Sequence, residues 1–221
     1  MAERFLGDHL EFWRQFREQF YTTGAIAPSS RFLARALCDP LKKRTRPVRI
    51  LEIGPGTGAV TKEVVRLVQP GDQFDLVELN EKFVELLRGR FAQHPQFTRV
   101  AAQSAVHQCP LQEFQAPAPY DYIISGLPLN NFPPDLVREI FEAYFRLLAP
   151  GGVLSYFEYM YVRSVKKSLS PNRDERKRLS ILDEIIQPHL RAHRIRRDWV
   201  FANLPPAWVQ HLQPAPNAQT V

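Results

Sequence analysis

The densest chemistry in the chain lies in Glu52-Ile-Gly54-Pro55-Gly56-Thr57-Gly58-Ala59, followed about 20 residues on by Glu78. Glycines at alternate positions let the backbone turn sharply and let a ligand approach it closely, because no Cβ stands in the way. A helix opening directly behind such a turn offers unpaired N–H groups and a partial positive charge, which suit a carboxylate or a phosphate. A carboxylate at the tip of the next strand, as at Glu78, can accept hydrogen bonds from both hydroxyls of a ribose. Together these residues point to a nucleoside-bearing ligand. The stretch also satisfies the dinucleotide pattern G-x-G-x-x-G/A, with Ala59 in last place. Glu52, just before the loop, is a residue for which the dinucleotide reading has no comparable need.

Alternating elements must hold these groups. Apolar runs at 48–53, 74–79, 97–102, 120–125 and 153–157 read as strands, with helical patterns at 60–68, 81–91 and 135–148 between them. Strand alternating with helix implies a parallel sheet covered on both faces, and Pro150-Gly151-Gly152 is a strong stop after the third of those helices. A helix is expected over 172–187, then two strands, 194–202 and 207–212, about the Leu204-Pro205-Pro206 turn. Ahead of the sheet, residues 3–21 carry apolar side chains near helical spacing. A turn from Gly24 to Ser30 then leads into a helix from Arg31 to about Cys38, capped by Ser29 or Ser30. The domain reading is a helical lid or membrane-contact segment over 1–46, a ligand-binding domain over 47–212 and a frayed tail over 213–221.

Composition narrows the class. Hydrophobic residues make up 44% of the 221, well above a disordered composition. No apolar run approaches the ~20 residues of a transmembrane helix, and the charged N-terminus lacks a signal-peptide core. Two cysteines without metal-ligand spacing argue against a disulfide framework and a zinc site. A cytoplasmic protein is expected, and its net charge of +6 suits an anionic partner, either nucleic acid or a membrane face.

Glu52 with Gly54, Gly56 and Gly58 resembles the E-x-G-x-G-x-G signature of class I methyltransferases. The resemblance implies a Rossmann-like α/β sheet, mostly parallel with a C-terminal antiparallel hairpin, that binds S-adenosylmethionine and releases S-adenosylhomocysteine. It implies cofactor contacts from Glu52, Gly54, Pro55, Gly56, Thr57, Gly58, Glu78 and Leu79. Gln103-Ser104-Ala105 is read as the loop after the third strand, where Gln103, Ser104 or backbone atoms stand in for the usual aspartate near the adenine, and Ser104 and Ala105 are the expected cofactor contacts. The turn after the fourth strand, Ser125-Gly-Leu127-Pro-Leu129, should lie beside the transferable methyl, with Ser125 at the cofactor and Leu127 at the reacting centre.

Four segments further resemble the bacterial phospholipid N-methyltransferases that act on phosphatidylethanolamine: Gly24-Ala-Ile-Ala-Pro-Ser-Ser30, the Glu52 loop, Ser125–Leu129 with Phe132-Pro133, and Asn203-Leu-Pro-Pro-Ala207. This resemblance implies stepwise methylation of a lipid head-group amine, without metal or covalent nucleophile, by a monomer held at the inner face of the cell membrane. It implies that Ser30 joins the cofactor site. A methylated ammonium needs aromatic faces, which Tyr156-Phe-Glu-Tyr159-Met-Tyr161 supplies; Tyr159 and Tyr161 are the chosen rings, with Tyr21 another. Asn131 and Phe132 are expected at the acceptor, and Arg163 at the phosphate. Glu158 is read as a strand residue rather than a proton acceptor. Segment 163–178 sets seven basic side chains against two acidic ones, each basic residue able to gain ~1 kcal/mol near an anionic leaflet.

Three other readings compete with this one. RNA adenine dimethyltransferases carry N-L-P-Y after the fourth strand, where an aromatic ring stacks on the flipped base; this chain has Leu129 in that place. A soluble small amine would be methylated by the same chemistry. A non-catalytic module is disfavoured by the intact Glu52, glycine and Glu78 set.

Overall fold

A computed structural model describes residues 30–160 and 173–215. Seven strands form one sheet: β1 (Arg49–Ile53), β2 (Gln73–Glu78), β3 (Ser104–Gln108), β4 (Tyr120–Ser125), β5 (Leu148–Tyr159), β6 (Arg194–Val200) and β7 (Ala207–Leu212). Their order is β3-β2-β1-β4-β5-β7-β6. The first five run parallel, and β7 and β6 close the sheet as an antiparallel hairpin. This is the Rossmann-like class I methyltransferase sheet. Strand order reverses at β1, between β2 and β4, and a doubly wound sheet opens its ligand crevice at the C-terminal ends of the strands there.

Side-chain alternation along the strands separates two cores. On one face α1 (Arg31–Leu37), α2 (Thr61–Leu67), α3 (Glu81–Gln93) and α4 (Pro95–Thr98) bury Leu33, Leu37, Val64, Leu87 and Phe97 against Ile50, Phe74 and Leu76. On the other, α5 (Pro134–Leu147) and α6 (Arg173–His193) bury Ile140, Tyr144, Leu182 and Ile186 against Leu51, Ile53 and Ile123. At roughly 1.5–3 kcal/mol per large apolar side chain removed from water, these two layers supply the main driving force for the fold. Ser30 is the residue that caps α1, its Oγ accepting from the Leu33 amide at 3.2 Å.

The third strand lies elsewhere than expected. Pro95 fixes the first turn of α4, Phe97 turns in to meet the Phe91 ring edge-on at 5.2 Å, and a 3-10 turn over Ala101–Gln103 follows. Strand β3 then occupies Ser104–Gln108, an edge strand whose partly exposed sequence shows no apolar alternation. At the other end, α6 continues through Pro188 to His193, where Leu190 is buried. Strand β5 starts early, at Leu148, and takes in Pro150-Gly151-Gly152 through a register shift against Tyr120 and Tyr122. A Cβ on Gly152 would sit 2.9 Å from the carbonyl oxygens of Ala149 and Tyr120, so only glycine fits there.

Asp75 gathers three strands around β2. It accepts from the Tyr120 hydroxyl at 2.9 Å, faces His107 Nε2 at 2.7 Å and pairs with Arg49 at 3.4 Å.

Candidate active site

The C-terminal ends of β1 and β2 deliver the two acids. Gly54, Gly56 and Gly58 all adopt positive φ, at 66°, 56° and 76°, the left-handed region that favours glycine. The loop is pinned at its base by the Gly54 amide on the Val77 carbonyl (3.0 Å) and within by the Gly58 amide on the Pro55 carbonyl (2.9 Å). Arg90 of α3 holds the Thr57 carbonyl. Glu78, buried at the end of β2, accepts from the Gly56 amide at 3.0 Å and from the Asn80 amide at 2.8 Å. One carboxylate therefore joins the glycine turn to the loop after β2, where Leu79 follows.

Glu52 is fully buried, and neither of its oxygens has a hydrogen-bond partner of good geometry. Burial pushes its carboxyl up to about 8; the Glu78 charge adds to the rise, and the neighbouring Thr61 hydroxyl and amide offset part of it. An uncompensated buried carboxyl is costly, and a cation arriving beside it would restore its ionised form.

The turn after β4 closes on the glycine loop backbone to backbone. The Gly126 amide donates to the Ile53 carbonyl at 2.9 Å, and a Cβ on Gly126 would lie 2.8 Å from the Gly54 carbonyl oxygen. Between these turns opens a largely apolar crevice lined by Ile53, Gly54, Val77, Leu79 and Leu127 together with Cys109–Gln112.

Several expected contacts are relocated. Ser104 and Ala105 open β3 beside Phe74 and Asp75, whereas the crevice end of β3 is Gln108 beside Glu78. At about 3.3 Å per residue they stand roughly 10–13 Å from that end, so they are withdrawn as cofactor contacts. Cys109, Pro110, Leu111 and Gln112 take that place, and the Cys109-Pro110 step, which favours extended backbone before a loop, was the available signal. Phe132 is fully buried in the core beneath α5 and is withdrawn from the acceptor site; its carbonyl accepts from Arg178 at 3.2 Å, as the Asn130 carbonyl does at 3.1 Å. That fixes Arg178 as a structural member of the basic segment. The Ser125 hydroxyl is engaged by the Tyr144 hydroxyl at 2.6 Å and the Leu127 amide at 3.2 Å, so it shapes the turn. Ser30 likewise spends its hydroxyl on the α1 cap, and its amide donates to Asn203 Oδ1 at 3.0 Å.

Tyr159 ends β5, buried, with its ring 5.2 Å from that of Phe157, and Asn131 is partly exposed in the 3-10 turn after β4. Glu158 is buried and accepts from the Tyr156 hydroxyl at 3.3 Å. Tyr21, Tyr161 and Arg163 lie outside the described residues. Among the described residues no helix is long and apolar enough to cross a membrane, and no cluster of metal-ligating side chains occurs.

Fold, glycine loop and paired acids match the arrangement of S-adenosylmethionine-dependent methyltransferases, and a family model described as a methyltransferase domain matches residues 51–154. Among curated proteins the chain is similar to the ornithine lipid N-methyltransferase of Singulisphaera acidiphila, 28% identical over 163 residues that span 69% of this chain and 79% of that one. It is also similar to the ribosomal RNA small subunit methyltransferase A of Pseudomonas syringae, 29% identical over 160 residues; there it covers 69% of its own length and 52% of the relative. The chain thus spans about half of that ribosomal RNA enzyme. Among solved structures, the O-methyltransferase TomG of Streptomyces achromogenes in complex with SAM superposes with a TM-score of 0.60 at 18% identity, covering 86% of this chain and 82% of that one.

The residues present fit the cofactor. Glycines at positive φ form a cradle for it, Glu52 offers an unpartnered buried carboxyl, and the crevice walls are apolar.

Proposed function

We propose that this chain is a lipid N-methyltransferase that methylates a primary amine in a membrane-lipid head group, with phosphatidylethanolamine as the acceptor. The observation that carries the reading is the similarity to a lipid N-methyltransferase over 79% of that enzyme's length. The sequence resemblance to phospholipid N-methyltransferases supports it.

When bound, S-adenosylmethionine supplies an electrophilic methyl on a sulfonium. The protein's part is to bind, orient and desolvate. Glu78 retains lone pairs beyond those given to Gly56 and Asn80, since a carboxylate accepts at about four sites, and these suit the ribose hydroxyls. Glu52 suits the ammonium of the methionine end, which would also keep its carboxyl ionised. Leu79 and the Cys109–Gln112 wall suit the adenine. The backbone contact of Gly126 on Gly54 places the Leu127 turn at the edge of the glycine loop, where the acceptor amine must meet the methyl in line at about 3 Å. Neutral amine is the nucleophile, so its proton leaves to water before attack, and the ring of Tyr159 suits the methylated ammonium that results.

A second reading has its own support in the ribosomal RNA methyltransferases. Those relatives extend well beyond the matched region, and Leu129 stands where a stacking ring would be needed. Incubation with methyl-labelled cofactor and either phosphatidylethanolamine in mixed micelles or ribosomal RNA separates the two. Label in mono- or dimethylated lipid is expected; label confined to RNA would overturn the proposal.

A further inference from the structure

Four of the six exposed large apolar side chains among the described residues gather at one edge of the molecule. Trp199, Phe201 and Leu204, at 48%, 67% and 77% exposure, lie at the end of β6 and in the β6–β7 turn; Phe32, at 42%, lies in the first turn of α1. The Ser30–Asn203 bond ties these two places together. Single exposed apolar residues need no explanation, but several protruding from two joined segments do.

The rings are ordered. Trp199 stacks on Phe201 at 5.8 Å and meets Trp208 edge-on at 5.7 Å, and the Arg197 guanidinium lies 5.1 Å and 5.2 Å from those two indoles. Arg31 covers the Phe32 ring at 4.8 Å, and exposed Arg35 lies one turn along α1. The nearest acid on β6, Asp198, is bound to Arg196 at 2.7 Å and faces His211 at 3.2 Å. The edge is therefore apolar at its tip and basic around it, with indoles between.

Ala207 pairs with Tyr159, so the hairpin tip points the same way as the C-terminal ends of the parallel strands, where the crevice opens. Trp residues ringed by arginine beside protruding Phe and Leu match the chemistry of an anionic lipid interface. A base-stacking platform needs a free ring face, whereas Trp199 is already engaged by Phe201 and Arg197.

Resting on the lipid-acceptor reading, we propose that the β6–β7 tip, with the start of α1, docks on an anionic phospholipid surface and seats the crevice mouth over the head groups. The test is co-sedimentation of the full chain with vesicles of phosphatidylethanolamine and phosphatidylglycerol. Relative to the unmodified chain, the double variant Phe201→Ser with Leu204→Ser should lose about tenfold in partition, and Arg197→Gln a smaller, salt-dependent amount. Phe201→Trp, which keeps an interfacial ring, should retain partition. Affinity for S-adenosylmethionine should stay within about twofold throughout, and methylation of lipid in detergent micelles should survive in the double variant while methylation of vesicles falls. Unchanged vesicle partition overturns the docking surface, whether the patch instead seats residues 1–29 or binds single-stranded RNA, for which the same variants would lose affinity. Absence of lipid methylation by the unmodified chain in vesicles and micelles alike would sink the acceptor reading instead; the partition result stands independently of it.

Discussion

Asn203 Oδ1 accepts the backbone N–H of Ser30 at 3.0 Å, across 173 positions of sequence, while its Nδ2 donates to the Pro205 carbonyl at 2.7 Å. One buried amide thus fixes both the shape of the hairpin turn and the point at which α1 begins. Asn203→Ala should cost about 1–3 kcal/mol, read by urea denaturation. Asn203→Asp keeps the acceptor and loses the donor, so it should fall between the two. Equal stability of all three proteins would show that the bridge is idle.

Glu78→Gln preserves size but removes the charge and replaces one acceptor oxygen by a donor. The two amides it now serves would be poorly matched, and the ribose would lose a charged acceptor. Titration calorimetry should show S-adenosylmethionine affinity reduced by about tenfold or more, with little loss of secondary structure. Undiminished affinity would remove Glu78 from the cofactor site.

Gly126→Ala places a methyl 2.8 Å from the Gly54 carbonyl oxygen, against backbone that has no rotamer to give. The two turns must separate, at a cost of about 1–3 kcal/mol. Cofactor affinity should drop with the melting temperature. Retention of both would mean the turns are looser than their contact implies.

Glu52 makes the free protein sensitive to pH in a defined direction. Its carboxyl lies at about 8 in the folded state against an ordinary 4.5. Below 4.5 both states hold the proton and nothing is lost. Between 4.5 and 8 the unfolded chain has released a proton that the folded one keeps, so stability falls as pH rises, and above about 8 the loss is complete. Glu52→Gln should flatten this slope and be the more stable protein at pH 8, by up to a few kcal/mol, as melting curves across pH 5–9 would record. Parallel curves for the two proteins would refute the assignment.

The relocated crevice wall carries its own check. Cys109→Trp should fill the crevice and abolish cofactor binding, whereas Ser104→Ala should leave affinity within about twofold. The reverse pattern would restore the position expected from sequence.

How far the sequence revealed these features depended on what the backbone demanded. The glycine loop was legible because three positive-φ positions admit little else, and β1, β2 and β4 because strands buried on both faces read as apolar runs. The third strand was not legible. Ser104–Gln108 is an edge strand with little to bury, while the more apolar Phe97-Thr-Arg-Val100 sits in and after a helical turn that sends Phe97 into the α3 core. That slip of one element displaced the adenine-side residues. Phe132 misled for a related reason: an aromatic in a turn near the site reads as a contact, yet here it serves as a peg under α5. The stretch beginning at Asn203 stood out as a motif, but nothing local shows that its partner is Ser30, at the other end of the chain.

Asp75 sits three residues before Glu78 on the same strand, yet it answers to different neighbours: Arg49 of β1, His107 of β3 and Tyr120 of β4 converge on it. The sheet is riveted below the ligand's level by groups that never meet the ligand. Sequence drift around the upper rim can retune which acceptor is admitted while the frame beneath stays clamped.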